Sequence, residues 1–262
     1  MKSFDLIISK LKKQSLDIDE FYTLLMQVET PFFDSAQLEC ELLVSNGFPI
    51  AINEGKVSLK TVSTLIQDQV FCVVDIETNG GKPNSAQIIE LGAVKYQNGQ
   101  IIDQYESLVY AKEIPLYIQE VTGIIPKMLE DAPPLKTVLE EFKIFLEDDV
   151  FVAHDVKFDY KYISHSFEMN DLGKLNNRSL CTIDLAKKVF KSEKYGLSTL
   201  KELLEINIDN HHRALSDALS STEILDKALN KIDKEVIKTT EDLIHFSKHT
   251  LKNKAKKKNP KI

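Results

Sequence analysis

The stretch FCVVDIETNG, residues 71–80, joins an apolar strand to two carboxylates. Phe71 to Val74 are β-branched, aromatic or otherwise apolar, which is typical of a buried β-strand. Asp75 and Glu77 follow two positions apart, and because side chains alternate along a strand, both carboxylates point to the same face. Like charges at the end of a buried strand repel each other and resist desolvation, so the pair indicates a functional site.

Two later stretches place carboxylates in comparable positions. In FVAHDVKFDY, Asp159 lies on a predicted helix just after a short apolar strand. In HHRALSD, Asp217 lies on the last long predicted helix, five residues after His212. Four converging carboxylates, including Asp75 and Glu77, are stable together only if cations hold them. Two Mg²⁺ or Mn²⁺ ions suit such an oxygen cage, and a two-metal site of this kind cleaves phosphodiesters.

His212 is the predicted general base, because histidine exchanges protons near neutral pH and can take one from an attacking water. Simpler interpretations exist for several of these residues. Asp217 has the place of an acid favoured by a helix dipole. We interpret His211 as a loop residue without chemistry, His154 as a structural residue at a strand end, and Phe158 as part of the core.

The composition is that of a soluble globular protein. The chain has 262 residues, of which 43% are hydrophobic and 28% charged, enough for one large domain or two smaller ones. The sequence contains no run of eighteen apolar residues, so we predict no transmembrane span. Three cysteines without metal-type spacing indicate reduced thiols, and we expect a cytoplasmic location and no membrane partner.

Charge is unevenly distributed along the chain. The formal net charge is −7, but the last sixteen residues, 247–262, carry seven lysines and no acid. Residues 1–246 therefore sum to −14. Because an acidic body binds nucleic acid poorly without help, metal ions, the basic tail or a partner must supply the attraction.

Residues 1–67 are predicted to form a small, mainly helical, winged-helix-like domain. Helices are expected at about 4–13, 18–29 and 35–46, with Asp17 and Asp34 capping the last two, and a hairpin turns at Asn53-Glu54-Gly55. This segment has six lysines against nine acids. Its charge favours protein docking or packing over DNA binding.

Residues 68–230 are predicted to form a second domain of the α/β class. A strand at 70–77 and a pair of strands within 86–110, turning at Asn98-Gly99, precede alternating strands and helices. The pattern predicts a mixed sheet flanked by helices. Residues 231–262 are predicted to be a helical extension followed by a disordered lysine-rich tail.

The three carboxylate stretches resemble the motifs of a known family. DIET, HDVKFD and HRALSD are similar to the three motifs of the DEDDh 3′→5′ exonucleases. The flanking text QIIELGAVKYQNGQ, SLCTIDLAKKVF and YGLSTLKELLEI resembles the epsilon proofreading subunit of bacterial DNA polymerase III and its relatives. The resemblance covers about residues 70–230 and implies a ribonuclease H-like fold.

The resemblance also implies the role of each site residue. It makes Asp75, Glu77, Asp159 and Asp217 the carboxylates that hold two divalent ions, His212 the general base, and Thr78 a contact to the 3′-terminal nucleotide. One position departs from the family pattern. Asp155 stands where the second motif usually has asparagine, and it adds an acceptor-only group near the site.

The leading hypothesis is a DNA 3′→5′ exonuclease that proofreads as an epsilon-like subunit. Its expected partners are a single-stranded or frayed DNA 3′ end and a polymerase catalytic subunit. The first alternative is the same chemistry on RNA. The second is a noncatalytic polymerase-binding scaffold, against which the five intact catalytic positions argue.

Overall fold

The computed structural model describes residues 4–28, 31–209 and 212–249. The first part of the described chain is a compact module of helices and short strands. Its elements are α1 (Phe4–Leu11), β1 (Leu16–Asp17), α2 (Ile18–Leu25), α3 (Ala36–Ser45), β2 (Ile50–Asn53) and β3 (Lys56–Leu59). The strands form an antiparallel sheet of order β1-β3-β2, and the helices cover an apolar core built around Phe21 and Phe48.

The details of this module differ from expectation at two points. The hairpin turns as predicted, with Glu54 and Gly55 at φ 49° and 74°. The predicted cap at Asp34 is wrong, because Ser35 has the extended backbone of an N-cap and its hydroxyl accepts the Leu38 N–H. Strand β1 was not predicted, since its two residues carry no detectable alternation and form a strand only by pairing with β3.

The rest of the described chain builds the larger body. Its elements are α4 (Lys60–Ser63), β4 (Phe71–Thr78), β5 (Ile88–Gln97), β6 (Gln100–Leu108), α5 (Leu116–Thr122), α6 (Pro126–Leu129), α7 (Leu135–Leu146), β7 (Val150–Ala153), α8 (Val156–Met169), β8 (Ser179–Cys181), α9 (Thr182–Val189), α10 (Leu197–Leu203), α11 (Ala214–Leu229) and α12 (Thr240–Lys248). The five strands lie in the order β6-β5-β4-β7-β8. The first three are antiparallel, and β4, β7 and β8 are parallel.

Strand β4 lies in the middle of this sheet and packs on both faces. Phe71 and Val73 belong to the apolar cluster under α9 and α11. Cys72 and Val74 point the other way, into the cluster under α7 and α8. Burial on both faces explains why the strand reads as a continuous apolar run rather than an alternating one. The mixed sheet flanked by helices confirms the predicted fold class.

Helix α11 approaches the sheet unusually closely at Gly92 of β5. A Cβ added to Gly92 would lie 2.3 Å from the Leu215 nitrogen and 2.4 Å from the Ala214 carbonyl carbon. Gly92 is also the register partner of Asp75 on β4. The missing side chain therefore lets the first turn of α11 rest directly on the strand pair that carries the acidic residues.

The module is joined to the body through a buried carboxylate on α12. Glu241 of α12 accepts hydrogen bonds from the Thr61 hydroxyl at 2.9 Å and from Arg178 Nε at 3.1 Å. Its other oxygen lies 2.9 Å from Lys12 Nζ. Burial alone would raise the pKa of Glu241, but these cations outweigh it and the pKa is lowered. One charge thus connects the first and last parts of the described chain.

Two expectations fall partly or wholly outside the described residues. Helix α12 lies within the predicted extension, but residues 250–262 of the lysine-rich tail and His211 are not described. The domain boundaries at 67/68 and 230/231 stay predictions. Within the described ranges, none of the helices combines the length and apolarity that a membrane span requires.

The contact at Gly92 gives a first testable prediction. Gly92→Ala forces a methyl group into backbone atoms that cannot rotate away, so we expect a loss of about 2–3 kcal/mol in the free energy of unfolding. Urea denaturation measures it. Gly196→Ala is the matched control, because a Cβ there meets nothing within 4 Å. Equal stability of the two variants would contradict the close approach.

Candidate active site

The end of β4 presents its carboxylates to the face that α11 covers. Asp75 and Glu77 pair in register with Gly92 and Glu90 of β5, and Gly92 is the residue on which α11 rests. Ile76, between the two acids, points to the opposite face and is buried there. The two carboxylates therefore lie on one face of the strand, as their spacing of two residues predicted.

The approach to α11 adds a histidine and a third carboxylate. The ligand atoms of Glu77, His212 and Asp217 all lie within 4.8 Å of one another. Asp217 is buried in the first turn of α11, whereas His212 is exposed. The His212 backbone has φ 61°, and its N–H donates to Asp217 Oδ2 at 3.1 Å. This turn fixes the histidine backbone and leaves its ring at the mouth of the site.

The fourth carboxylate comes from α8. Asp159 is buried in the first turn of that helix, which follows β7 directly. The chain turns into the helix at Asp155, whose φ of 80° lies in the left-handed region. Asparagine and aspartate both tolerate that conformation better than other non-glycine residues, which explains why Asp155 can replace the usual asparagine. Burial raises the pKa of Asp159, and the Asp155 carboxylate raises it further.

The carboxylates raise one another's pKa values. Burial raises the pKa of Asp75 well above its usual range, and the charges of Asp159, Asp217 and Glu77 raise it further. Burial, followed by Asp217 and Glu90, raises the pKa of Glu77 to about 7. The pKa of Asp159 is also well above normal, first because of burial. Such crowding favours the ionised form only when positive charge is supplied.

The donor set fits divalent cations. Carboxylate oxygens are the ligands that Mg²⁺ and Mn²⁺ prefer. Glu77 and Asp217 lie together with His212 at the end of the central strand, and the charges of Asp159, Asp217 and Glu77 all act on Asp75. The structure brings these predicted residues together. Their roles as ligands stay a prediction.

The sequence analysis missed an ion pair that supports the site. Glu90 is fully buried beside Glu77, and its Oε1 accepts from Arg213 Nε at 2.9 Å and Nη2 at 2.6 Å. Its other oxygen accepts the Ala214 N–H at 2.9 Å. These contacts hold Arg213 and the first residue of α11 against β5. A glutamate inside the apolar run QIIELGAV was the available signal, but its partner is 123 residues away.

His154 has the structural role that the sequence suggested. Its Nδ1 lies 2.7 Å from the Thr182 hydroxyl and its Nε2 lies 2.9 Å from the Tyr195 carbonyl oxygen. Burial lowers the pKa of His154 to about 4, so the ring is neutral. Nε2–H therefore donates to Tyr195 and Nδ1 accepts from Thr182. The ring connects the end of β7 to α9 and to the loop before α10.

The loop after Glu77 is shaped by two hydroxyl groups. The buried Thr78 donates to the Gly80 carbonyl oxygen at 3.1 Å, and the Tyr162 hydroxyl donates to the same oxygen at 3.0 Å. Phe158 lies against Tyr162 with ring centroids 5.6 Å apart. The prediction that Phe158 is core was wrong, because it is 39% exposed. Asp159 takes the inward position on this turn of α8, which directs Phe158 toward the surface.

Comparison with known proteins gives a family match over the larger body. A family model described as an exonuclease, RNase_T, matches residues 72–225. The PolC-type DNA polymerase III of Caldanaerobacter subterraneus subsp. tengcongensis is 35% identical over 204 residues, covering 77% of this chain and 14% of that protein. The 3′-5′ exonuclease DinG of Staphylococcus epidermidis is 35% identical over 181 residues, covering 68% of this chain and 20% of that protein. The chain thus spans only a small part of these relatives.

Solved structures agree on the fold. Exonuclease X in complex with 5′ overhanging duplex DNA matches with a TM-score of 0.53 and 22% identity, covering 68% of this chain and 99% of that one. E. coli Exonuclease I in complex with a dT13 oligonucleotide matches with a TM-score of 0.55 and 15% identity, covering 64% of this chain and 42% of that one. These matches confirm the ribonuclease H-like exonuclease fold.

The raised pKa values predict how stability depends on pH. Without divalent metal, Asp75, Glu77 and Asp159 bind protons more tightly in the folded than in the unfolded state. Stability is therefore highest below the unfolded pKa values and is lost as pH rises through the folded ones. We expect Tm in EDTA to fall between about pH 4.5 and pH 7, the window in which Glu77 titrates differently in the two states.

Calorimetry of two variants, and of the protein with added Mg²⁺, checks this dependence of Tm on pH. Asp75→Asn should flatten the fall in Tm, whereas Asp131→Asn, at an exposed position after α6, should leave it unchanged. Added Mg²⁺ should raise Tm more at the high end of the pH range, where the carboxylates are ionised. A Tm that rises with pH in EDTA would contradict the crowding.

The buried ion pair gives a second prediction for this site. Glu90→Gln removes the negative partner of Arg213, and a hydrogen bond to a charged group contributes about 1.5–3 kcal/mol. We expect a loss of that size in urea denaturation at saturating Mg²⁺. Glu106→Gln is the matched control, because Glu106 is exposed and lies 3.8 Å from the same guanidinium. The free energy of unfolding of Glu106→Gln should fall by less than about 1 kcal/mol. Similar losses in both variants would argue against a special role of Glu90.

Proposed function

Because the chain belongs to the exonuclease family whose model matches residues 72–225, we propose that it removes nucleotides from DNA 3′ ends by two-metal hydrolysis. The observation that supports this proposal is a set of crowded, mutually destabilising carboxylates beside an exposed histidine. A binding module would have no use for such repulsion. A phosphodiester hydrolase needs it to concentrate positive charge where oxyanions develop.

Asp75, Glu77, Asp159 and Asp217 are the proposed ligands of the cations. Two bound Mg²⁺ or Mn²⁺ ions would stabilise the attacking and leaving oxygens of the scissile phosphodiester. The protein contributes the placement of the four carboxylates. Asp75 and Glu77 lie on a central strand packed on both faces, and the other two lie in first turns of helices. Rigid elements of this kind keep the ligands in position during turnover.

His212 is the proposed general base. It is exposed at the mouth of the site, and its backbone is held by the N–H contact to Asp217. The ring lies close enough to Glu77 and Asp217 to reach a water positioned between them and the scissile phosphate. His212 takes a proton from that water, and a turn at positive φ lets the ring approach from outside the carboxylate cluster.

The surface beside the site suits an unpaired 3′ end. Thr78, the proposed contact to the terminal nucleotide, is held by the loop at Gly80. The segment from β6 into α5 is joined to this loop through Asn79, whose amide donates to the Glu113 carbonyl oxygen. That segment exposes Tyr117 and Val121 to solvent at 59% and 53%. Aromatic and apolar side chains in this position favour stacking with separated bases over contact with a closed duplex.

The biological role that we propose is proofreading as an epsilon-like subunit of DNA polymerase III. PolC-type DNA polymerase III proteins are among the relatives, which supports a replicative setting and a polymerase catalytic subunit as partner. Exonuclease X and Exonuclease I were solved with DNA, which supports DNA as the substrate. The proposed carboxylates and histidine act on the phosphodiester, which DNA and RNA share, so substrate choice needs a direct test.

That test uses 3′-labelled and 5′-labelled single strands of DNA and RNA of one sequence, incubated with Mg²⁺. We expect stepwise shortening of DNA from its 3′ end and slower attack on RNA. A frayed, mismatched primer end should be shortened faster than a paired end. Faster cleavage of RNA would replace the DNA assignment, and no cleavage of either would leave the scaffold hypothesis.

Variants of the proposed catalytic residues separate their roles. Asp75→Asn and Asp217→Asn should abolish turnover while the far-ultraviolet circular dichroism stays native, because each removes a cation ligand. His212→Ala should lower kcat by about 10²–10⁴-fold, the usual contribution of a positioned general base. It should also retain most Mn²⁺ affinity in a calorimetric titration.

His211→Ala is the matched control for the general base, and it should lose little activity. If His211→Ala is inactive and His212→Ala is active, the third motif is misaligned by one residue. Near-normal turnover in Asp75→Asn or Asp217→Asn would contradict the two-metal proposal.

A further inference from the structure

A basic groove lies between α1 and the end of α12, away from the carboxylates. It has a volume of about 460 Å³. Its cationic lining is Lys12, Lys13, Arg178 and Lys248. These residues come from three separate parts of the chain, and the contacts of Glu241 bring them together.

Positive charge exceeds negative charge in this groove. Arg178 and Lys12 share the buried Glu241, and Asp5 is the acid in the lining. Partial burial lowers the pKa of Lys248, and the charges of Arg178 and Lys12 lower it further, although Glu241 opposes them. The three cations therefore repel one another in the groove. Asp184 also acts on Lys248, but it has its own partner in Lys187. Repulsion of this kind is relieved when a polyanion binds.

The chain that leaves the groove adds more positive charge. After Lys248, residues 249–262 contain six further lysines and no acid. The rest of the protein is strongly acidic, with residues 1–246 summing to −14. The lysine-rich part of the sequence therefore begins at Lys248, which lines the groove. A negatively charged ligand is complementary to the groove and to the lysine-rich sequence that follows it.

The groove lies at the other end of the sheet from the proposed catalytic carboxylates. Ser179, which follows Arg178, pairs with Phe151, and Phe151 pairs with Cys72 at the start of β4. Glu77 lies five residues further along that strand, about 16 Å away at ~3.3 Å per residue. A ligand that reaches both places must be long, and a strand of DNA is such a ligand.

We propose that the groove binds the sugar-phosphate backbone of the DNA strand whose 3′ end occupies the active site, an inference that rests on the proposed function. Lys13 and Lys248 are the groups free to contact phosphate, since Lys12 and Arg178 hold Glu241. This second contact retains the strand between successive cleavages. It compensates for the repulsion between DNA and the acidic body.

The test compares a double variant, Lys13→Gln with Lys248→Gln, and a matched control, Lys234→Gln with Lys238→Gln. The control removes the same charge from exposed positions between α11 and α12. Binding of a labelled single strand of about 20 nucleotides, longer than the ~4–16 that one OB-fold covers, is followed by anisotropy in EDTA across a salt series. We expect the groove variant to bind several-fold more weakly, with a salt slope reduced by about 1.4, or ~0.7 per lost contact.

A small substrate separates this inference from the proposed function. Hydrolysis of the p-nitrophenyl ester of thymidine 5′-monophosphate with Mn²⁺ requires only the active site, so the groove variant should retain the full rate. Absence of ester hydrolysis by the unmodified protein would overturn the proposed function, while the anisotropy would still test the groove.

Two results would overturn the groove assignment. One is an unchanged DNA affinity and salt slope in the groove variant relative to its control. The other is binding of labelled polyglutamate that depends on Lys13 and Lys248 while DNA binding does not, which would identify an acidic protein as the ligand.

Discussion

Repulsion among buried carboxylates is the constraint around which the larger body is arranged. Asp75 is on the central strand, and the charges of its acidic neighbours all oppose its ionisation. Folding alone gains nothing from this arrangement, which means that packing elsewhere must offset its cost. The two apolar clusters on either face of β4 supply that packing. Stability and chemistry thus make opposite demands on one strand.

The positions of α11 and β5 depend on each other. Gly92 lets the helix backbone touch the strand, and Glu90 holds the entry to the helix through Arg213 and the Ala214 N–H. Glu90 is itself one more negative charge beside Glu77, but the guanidinium compensates for it and also opposes the rise in the pKa of Glu77. A single arginine therefore serves both the placement of α11 and the electrostatics of the site.

The features that sequence predicted are those set by short-range patterns. The alternation around Asp75 and Glu77 depends on two residues of separation, and the turn at Gly55 depends on local backbone preference. Distant partners were predictable only where a family motif marked them, as with Asp75, Asp159 and Asp217. Glu90 and Arg213 are 123 residues apart, and no periodicity links them. Phe158 was misassigned because an aromatic residue beside a helix acid gives no sign of which of the two faces inward.

The buried Glu241 has a consequence for how the chain reaches this structure. Its contact with Thr61 spans 180 residues, and it is made by the last helix of the described chain. During synthesis the amino-terminal module is available long before α12 emerges, so this contact forms only after the intervening residues have been made. Contacts of such long range slow folding, because the intervening loop loses entropy before the contact is gained. In the folded protein, the carboxylate of Glu241 holds α12 against the beginning of the described chain.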